Sequence, residues 1–500
     1  MKTAKIRTAL LIVLCMLAAG LLSGCGKTEA PQATAPAETA AAQEEFTPTG
    51  ENYGGDFVVL IGGKTGGDNV RHYGFAETDA DSRTSLDEAV YRRNKAVEEL
   101  YGVKLTSIED AGSDSQVYNK LMMAATAGDS EYDLVQVAAY DAVPLAIANC
   151  LYELGSIKTL DLTKSWWDQK VNEQLVIDGL TFFTTGDISY WDDMQQNVIA
   201  FNKQVKRDLN IEDDFYTVLR EGEWTLDKMA EYAKVATEDL NADGVYDMRD
   251  KFGIITWDDT VYAIFNAGGE RVVRTDENGK LKLTITSSER AIDVLSKYTD
   301  ICFGGDAINY QRYTANEAIE MFSTDRALFF FGRLQSLDHY RDMETDYGIL
   351  PYPKYEASQK NYETVASPYH MAFFCVPYCV SDPAKSGAVA DALAYYGKTT
   401  VTGAYYDKTL TGQYFRDEDS VYTLELMAQT RAYDLGFYLQ PGNINKELIY
   451  LFREGSKDFA SAFAAKKNAA ESALASYETA FELAKETWDT AEKAATGAAQ

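Results

Sequence analysis

Between Asp56 and Val137 the chain alternates short apolar runs with helical ones, and this alternation limits the possible folds more than any other feature. Asp56-Phe-Val-Val-Leu-Ile61 reads as a buried strand. Ser85-Leu-Asp-Glu88 has the form of a capping box, and Leu86, Val90, Val97 and Tyr101 follow at helical spacing until Gly102 stops the helix. Val103-Lys-Leu-Thr106 is a second strand. A helix from about Gln116 to Ala127 ends at Gly128, and Asp133-Leu-Val-Gln-Val137 is a third strand. Such alternation predicts an α/β domain with a parallel sheet.

The connection from Gly62 to Thr84 breaks the rhythm. It runs for more than twenty residues without periodicity and holds Gly62, Gly63, Lys64, Gly66, Gly67, Arg71, His72 and Arg83. Compact domains seldom leave that length unstructured without a use, so it reads as a ligand-facing loop with Lys64 and Arg83 as candidate contacts. Gly63-Lys64-Thr65 imitates the end of a phosphate loop. The full pattern needs a glycine five residues before Gly63, and that position is Val58 inside the strand. The phosphate-loop reading fails there.

Further on, strands are predicted at Leu180–Thr184, Asn197–Phe201, Phe252–Ile255, Leu281–Ile285, Ala327–Phe331, Tyr347–Leu350 and Met371–Pro377. Helices are predicted at Thr225–Thr237 and Ala384–Tyr396. From about Gly455 to Ala495 the chain is rich in Ala, Glu and Lys and reads as one or two long surface helices with a solvated charged face.

The first residues tell where the chain works. Lys2, Lys5 and Arg7 precede an almost unbroken apolar run from Ala9 to Leu22, too short for a comfortable membrane span and shaped like an export signal. It ends in Leu22-Ser-Gly-Cys25, which resembles the lipobox of bacterial lipoproteins. That resemblance implies a signal peptide over 1–24 and a lipidated Cys25. Residues 25–51 cannot build a core and read as a flexible tether. The expected location is the outer face of the cell membrane, lipid-anchored, which leaves ATP-dependent chemistry aside. Without the first 24 residues, 44 Lys and Arg stand against 77 Asp and Glu. A body so acidic repels phosphate backbones, and nucleic-acid binding is excluded. Three histidines (His72, His339, His370) are too few for a His-rich metal centre. Cys150, Cys302, Cys375 and Cys379 read as buried free thiols, although export would permit pairing.

Several segments in order carry a family resemblance. They run from the lipobox through Glu98-Glu-Leu-Tyr-Gly-Val103, Ala124-Ala-Thr-Ala-Gly-Asp129, Tyr132-Asp-Leu134, Val198-Ile-Ala-Phe-Asn-Lys203 and Glu223-Trp-Thr-Leu-Asp227. They continue with Ala267-Gly-Gly269, Ala327-Leu-Phe-Phe-Phe-Gly332 and Tyr347-Gly-Ile-Leu-Pro-Tyr-Pro-Lys354. The set resembles the extracellular solute-binding lipoproteins of bacterial ABC importers, the sugar-binding class that includes maltose-binding protein. It covers most of residues 52–440. The resemblance implies an α/β protein of two lobes in the type II periplasmic-binding-protein fold, closing on a ligand between them. Lobe one would comprise 52–190 plus 351–404, and lobe two 191–350 plus 405–500 with the helical tail. It also implies an ABC permease as membrane partner, a monomer, no cofactor for function and no bond-making chemistry.

The sharpest local motif is Asp239-Leu-Asn241-Ala-Asp243-Gly244-Val245-Tyr-Asp247-Met-Arg-Asp250. Oxygen donors fall at loop positions 1, 3, 5, 7 (the Val245 carbonyl), 9 and 12, with glycine at 6, the pattern of a calcium loop. Asp250 replaces the usual bidentate Glu, and a strand follows instead of a helix. The expectation is one structural Ca²⁺ held by Asp239, Asn241, Asp243, Val245, Asp247 and Asp250.

Sugar sites combine aromatic faces with carboxylates and guanidinium groups. Candidates of this kind sit at strand ends: Tyr140-Asp141, Trp257-Asp258 and Arg333 after strands, Trp191-Asp192 and Tyr369-His370 before them. Trp166-Trp167 reads as a core or hinge wedge. The leading expectation is capture of a carbohydrate, an oligosaccharide in particular. A peptide or other polar solute on the same fold is the alternative. A cell-surface glycoside hydrolase would need two carboxyls opposed across a cleft, and the adjacent pairs Asp192/Asp193 and Asp258/Asp259 do not offer that.

Overall fold

In the computed structural model, described for residues 45–62, 84–109, 114–312, 314–406 and 418–497, nine of thirteen strands form two main sheets and the other four form two strand pairs. The first has the order β12-β3-β1-β2, from β1 (Asp56–Ile61), β2 (Lys104–Glu109), β3 (Leu134–Ala138) and β12 (Ala372–Cys375). β1 pairs in parallel with β2 and β3, as the alternation predicts, and β12 closes the edge antiparallel to β3. β3 is buried throughout and β1 nearly so, which is why both read as largely apolar runs, interrupted in β3 only by the buried Gln136.

The second sheet has the order β10-β4-β9-β5-β8. Its members are β4 (Asn197–Asn202), β5 (Phe252–Thr256), β8 (Ala307–Asn309), β9 (Ala327–Arg333) and β10 (Tyr347–Leu350). β5 runs parallel to β8 and β9, while β4 and β10 are antiparallel to their neighbours. A small hairpin, β6 (Val273–Thr275) with β7 (Leu281–Leu283), stands apart. Two sheets carrying helices give the two-lobe architecture.

Local chemistry explains most element ends. The first helix, Ser85–Tyr101, is capped one residue earlier than expected. Thr84 Oγ1 accepts the Asp87 N–H at 3.2 Å, and Asp87 Oδ2 accepts the Thr84 N–H at 2.8 Å. The box is Thr84/Asp87, not Ser85/Glu88. Gly102 ends the helix at φ +65°, and a Cβ there would collide with the Asn52 side chain. The helix Leu226–Ala236 starts at Thr225, whose hydroxyl accepts from Lys228 N. The strand expected at 180–184 is absent. Only isolated bridges form there, Ile177 with Leu180 and Thr184 with Phe374.

Three passes of chain join the two sheets. The first runs through Gln195–Asn197. The second runs through β11 (Thr364–Val365) to Ser367, and the third through β13 (Arg431–Ala432). Gln196 bridges Ala366 antiparallel, Thr364 pairs with Arg431 in β11–β13, and Ser367 N donates to Gln195 O at 2.9 Å. This is the hinge region.

The tail is one helix, Phe459–Gly497, and it differs from a merely solvated surface element. Against the first lobe, Trp488 packs on Tyr152 (4.5 Å between ring centroids) and Phe481 on Phe182 (5.9 Å), while Lys485 Nζ donates to the Asp178 carbonyl at 2.8 Å. Against the second lobe, Leu281 N donates to Glu478 Oε1 at 2.7 Å and Lys280 pairs with Glu482. Its alanines permit close approach: Ala470 is fully buried, and a Cβ on Gly442 would lie 2.8 Å from the Ala470 nitrogen. Helix periodicity reveals the length but not what the helix touches.

All four described cysteines are free; Cys150, Cys302 and Cys375 are buried, and burial pushes the Cys302 thiol up to about 12. Among the described residues no helix is long and apolar enough to cross a membrane.

Candidate functional site

Strand direction decides which side chains meet. In the second sheet β5, β8 and β9 end, and β4 begins, at the same edge, with Arg333 directly opposite Asn197. Residues following those ends are therefore neighbours: Trp257-Asp258 after β5, Tyr310 after β8, and Arg333 closing β9. In the first sheet β3 ends where β12 begins, with Ala138 opposite Ala372. Ala139 N donates to Met371 O at 2.9 Å, so Tyr140-Asp141, opening the helix Ala139–Ile147, stand beside Tyr369-His370.

Trp257 is the centre of this group. Its indole is 6% exposed, with the Arg333 guanidinium 5.8 Å above the ring, Tyr310 stacked at 6.3 Å and the His370 ring at 6.2 Å. His370 belongs to the first-sheet side, so this contact joins the lobes. The Trp257 Nε1–H is buried without an acceptor, a donor left for something else to satisfy. Arg333 is held from the hinge: its Nη1 donates to Gln195 Oε1 at 2.7 Å, and Gln195 Nε2 donates to Gln335 Oε1 at 3.0 Å. Trp191 Nε1 donates to the His370 carbonyl at 2.7 Å, fixing the backbone beneath that imidazole. Tyr262 and Ser367 share a hydroxyl–hydroxyl bond of 2.7 Å.

Asp258 is committed elsewhere. Its Oδ1 accepts from Asn309 Nδ2 at 2.6 Å and its Oδ2 pairs with Arg453. Its neighbour Asp259 is pushed up to about 6 by burial and by the Asp258 charge. These acids order the loop after β5.

Trp191, Trp257, Asp258, Arg333, Tyr369 and His370 are thus brought to one region, with Tyr140 and Asp141 at the same sheet edge. Asp192 is not among them. It is buried against Arg431, whose Nη1 lies 3.0 Å from its Oδ2, because the short helix Trp191–Met194 sends successive side chains in different directions. Cys25, Lys64 and Arg83 lie outside the described residues. Gln195, Tyr310, Gln335 and Ser367 went unremarked in the sequence. The hinge position of Gln195, between the Trp191 turn and β4, is the only signal that could have found one of them. Trp166 and Trp167 are a core wedge: both indoles donate to Asp391 Oδ1 at 2.8 Å.

The 239–250 loop has the turn expected of it, but its acids do not converge. Gly244 sits at φ +75°, and Asp239 Oδ2 accepts its N–H at 2.9 Å. Asn241 and Asp243 accept N–H groups two residues on, and both Asp250 oxygens bond the loop backbone. Arg249 then forks onto Asp247 (2.6 Å) and Asp243 (3.2 Å), holding the Asp247 carboxyl down at about 2. Among the described residues no group of three or more Asp, Glu, His or Cys is placed to hold a metal ion. The Arg249 cation stands where the metal was expected to supply positive charge.

A profile of the bacterial extracellular solute-binding proteins matches residues 80–374, more than half of the chain. The chain belongs to that family. A search of curated protein sequences finds no match. Among solved structures, this solute-binding protein is similar to a cyclo/maltodextrin-binding protein complexed with maltotetraose, with TM-score 0.54 and 13% identity over 87% of this chain and 98% of that one. It is similar to an ABC substrate-binding protein from Listeria monocytogenes in complex with cycloalternan, with TM-score 0.53 and 12% identity over 84% and 99%. It is also similar to the maltose-binding protein MalE of Listeria monocytogenes in complex with maltose, with TM-score 0.52 and 14% identity over 85% and 97%. Identities this low establish the two-lobe fold of the solute-binding protein, and the side chains at its cleft are its own.

Proposed function

We propose that this solute-binding protein captures a carbohydrate, an oligosaccharide in particular, and delivers it to the permease of an ABC importer. The single observation that carries this reading is Trp257. A buried aromatic face with an unsatisfied indole N–H lies under Arg333 and next to His370 from the other lobe. A sugar ring offers an apolar C–H face for the indole and hydroxyls for Arg333 and Nε1. The oligosaccharides bound by the similar solved structures agree with that chemistry. Contacts from both lobes exist together only in a closed form, so ligand draws the hinge toward closure. No step in this cycle makes or breaks a bond.

Anchoring through lipid at Cys25, with 25–51 as tether, completes the proposal. Its support is the Leu22-Ser-Gly-Cys25 sequence. Replacing Cys25 with Ser should release the protein from membranes.

Calorimetric titration with maltose, maltotriose, maltotetraose and cyclic glucans tests the carbohydrate reading. Saturable binding without released reducing ends is expected. Saturation by peptides alone, or turnover of the oligosaccharide, would overturn it.

A further inference from the structure

The Trp191–Met194 turn sends neighbouring side chains to two places. Trp191 reaches the His370 carbonyl at the cleft. Asp192 faces a separate cavity of about 370 Å³, walled by Trp166, Trp167, Asp168, Asp187, Asp193 and Arg431. Arg431 Nη1 donates to Asp168 Oδ2 at 2.9 Å and to Asp192 Oδ2 at 3.0 Å, and its Nη2 donates to Asp193 Oδ1 at 2.5 Å. One guanidinium thus serves three carboxylates, while Asp187 adds a fourth acid to the wall and Lys170 a second cation. Acids outnumber cations in the lining four to two.

Two polar atoms there are unspent. Asp192 is 3% exposed, and its Oδ1 accepts nothing. Arg431 is 9% exposed, and its Nε donates to nothing. Leaving such atoms unpaired costs the full desolvation of each group, so a partner is expected in the space they line. A bare metal ion is the wrong partner, since among the described residues no set of acids, histidines or cysteines is arranged to hold one. An acceptor and a donor lining one acidic cavity, beside two indoles, match a ligand that carries a positive group and an oxygen close together.

We propose that this cavity binds a small organic cation, with a primary ammonium group on Asp192 and its neighbouring acids and an adjacent hydroxyl or carbonyl oxygen accepting from Arg431 Nε. The site is distinct from the Trp257 cleft and does not depend on the sugar reading. It abuts the hinge. Arg431 opens β13, pairs with Thr364 of β11, and lies two residues in register from the Gln196–Ala366 bridge. An occupant therefore touches the chain passes that join the lobes.

Ethanolamine and glycinamide are suitable probes, with ethylene glycol and acetamide as neutral counterparts, titrated into the full chain by calorimetry and by tryptophan fluorescence. The amines should bind at millimolar concentration or below and the neutral molecules should not. Asp192→Asn should weaken the amines at least tenfold. Ala428→Trp, an exposed substitution at the cavity wall, should block them while leaving maltodextrin titrations unchanged. Failure of the folded protein to bind either amine would overturn the proposal. So would amine binding that survives Ala428→Trp, or that is lost in Trp257→Ala while Ala428→Trp leaves it intact. Should Asp192→Asn not fold, Ala428→Trp decides alone.

Discussion

The Arg333 guanidinium lies 5.8 Å above the Trp257 ring, and its Nη1 is tied to Gln195 in the hinge at 2.7 Å. One cation therefore links the aromatic platform at the end of β5 to the segment on which the lobes turn. Replacing Trp257 with Ala should weaken oligosaccharide binding about tenfold to a hundredfold, the range of a buried aromatic anchor. Isothermal titration checks this, with circular dichroism as the folding control. Unchanged affinity would remove the ring from the site.

Gln195 acts on the ligand through Arg333. Gln195→Ala should cost about tenfold in affinity, and Arg333→Lys more, because an ammonium cannot hold the Gln195 oxygen and cover the indole at once. Small-angle scattering of Gln195→Ala with saturating maltotetraose should still show the compact, closed form. A variant stuck open at saturation would show that Gln195 serves the hinge and not the guanidinium.

Stability should fall as the pH rises from about 4 to 7. Burial, the leading cause, raises the Asp187 carboxyl to about 7, and the Asp193 charge adds to it. Between the unfolded and folded values the native state holds the extra proton, so each step upward in pH favours unfolding. Asp187→Asn should remove most of this pH-dependent loss, up to about 4 kcal/mol across the window, measured by urea denaturation at each pH. An identical slope in the variant would exclude Asp187 as its source.

The C-terminal helix should be part of the folding unit. Trp488→Ala deletes the 4.5 Å contact with Tyr152 and the edge contact with Tyr378. A loss of about 1–2 kcal/mol is expected, since a half-buried aromatic pair contributes on that order beyond its area. A denaturation curve that overlays the parent would mean that the helix end frays away without consequence.

Calcium on the 239–250 loop is proposed only in competition with Arg249. The ion and the guanidinium claim the same oxygens of Asp243 and Asp247. Arg249→Ala should therefore bind Ca²⁺ more tightly than the parent and show the larger rise in melting temperature, reversed by EDTA. Equal, absent responses in both proteins would leave the loop as an acidic turn.

Strand and helix order was legible because burial on both faces leaves a local mark. Leu60 to Ile61 and Phe329 to Phe331 are apolar stretches that water does not reach, and Val135 to Val137 is as deeply buried although it includes Gln136. Trp257 and Arg333 could be named from their place at the ends of strands, and Tyr369-His370 from their place just before one. What could not be read were pairings decided by direction: Asp192 against Arg431, 239 residues apart in sequence, and Trp191 against His370, 179 apart. No local pattern encodes them.

By itself, the sequence determined the α/β class, the acidic body that rejects nucleic acid, and the residues standing at strand ends. Those follow from hydrophobic period and charge, which act over a few residues. Only the tertiary structure decided that Trp257 meets His370 across the lobes, that Asp192 turns away to a second cavity, and that Phe459–Gly497 touches both lobes. Strand direction and a three-fold crossing of the hinge set these contacts, and both arise from packing between segments hundreds of residues apart.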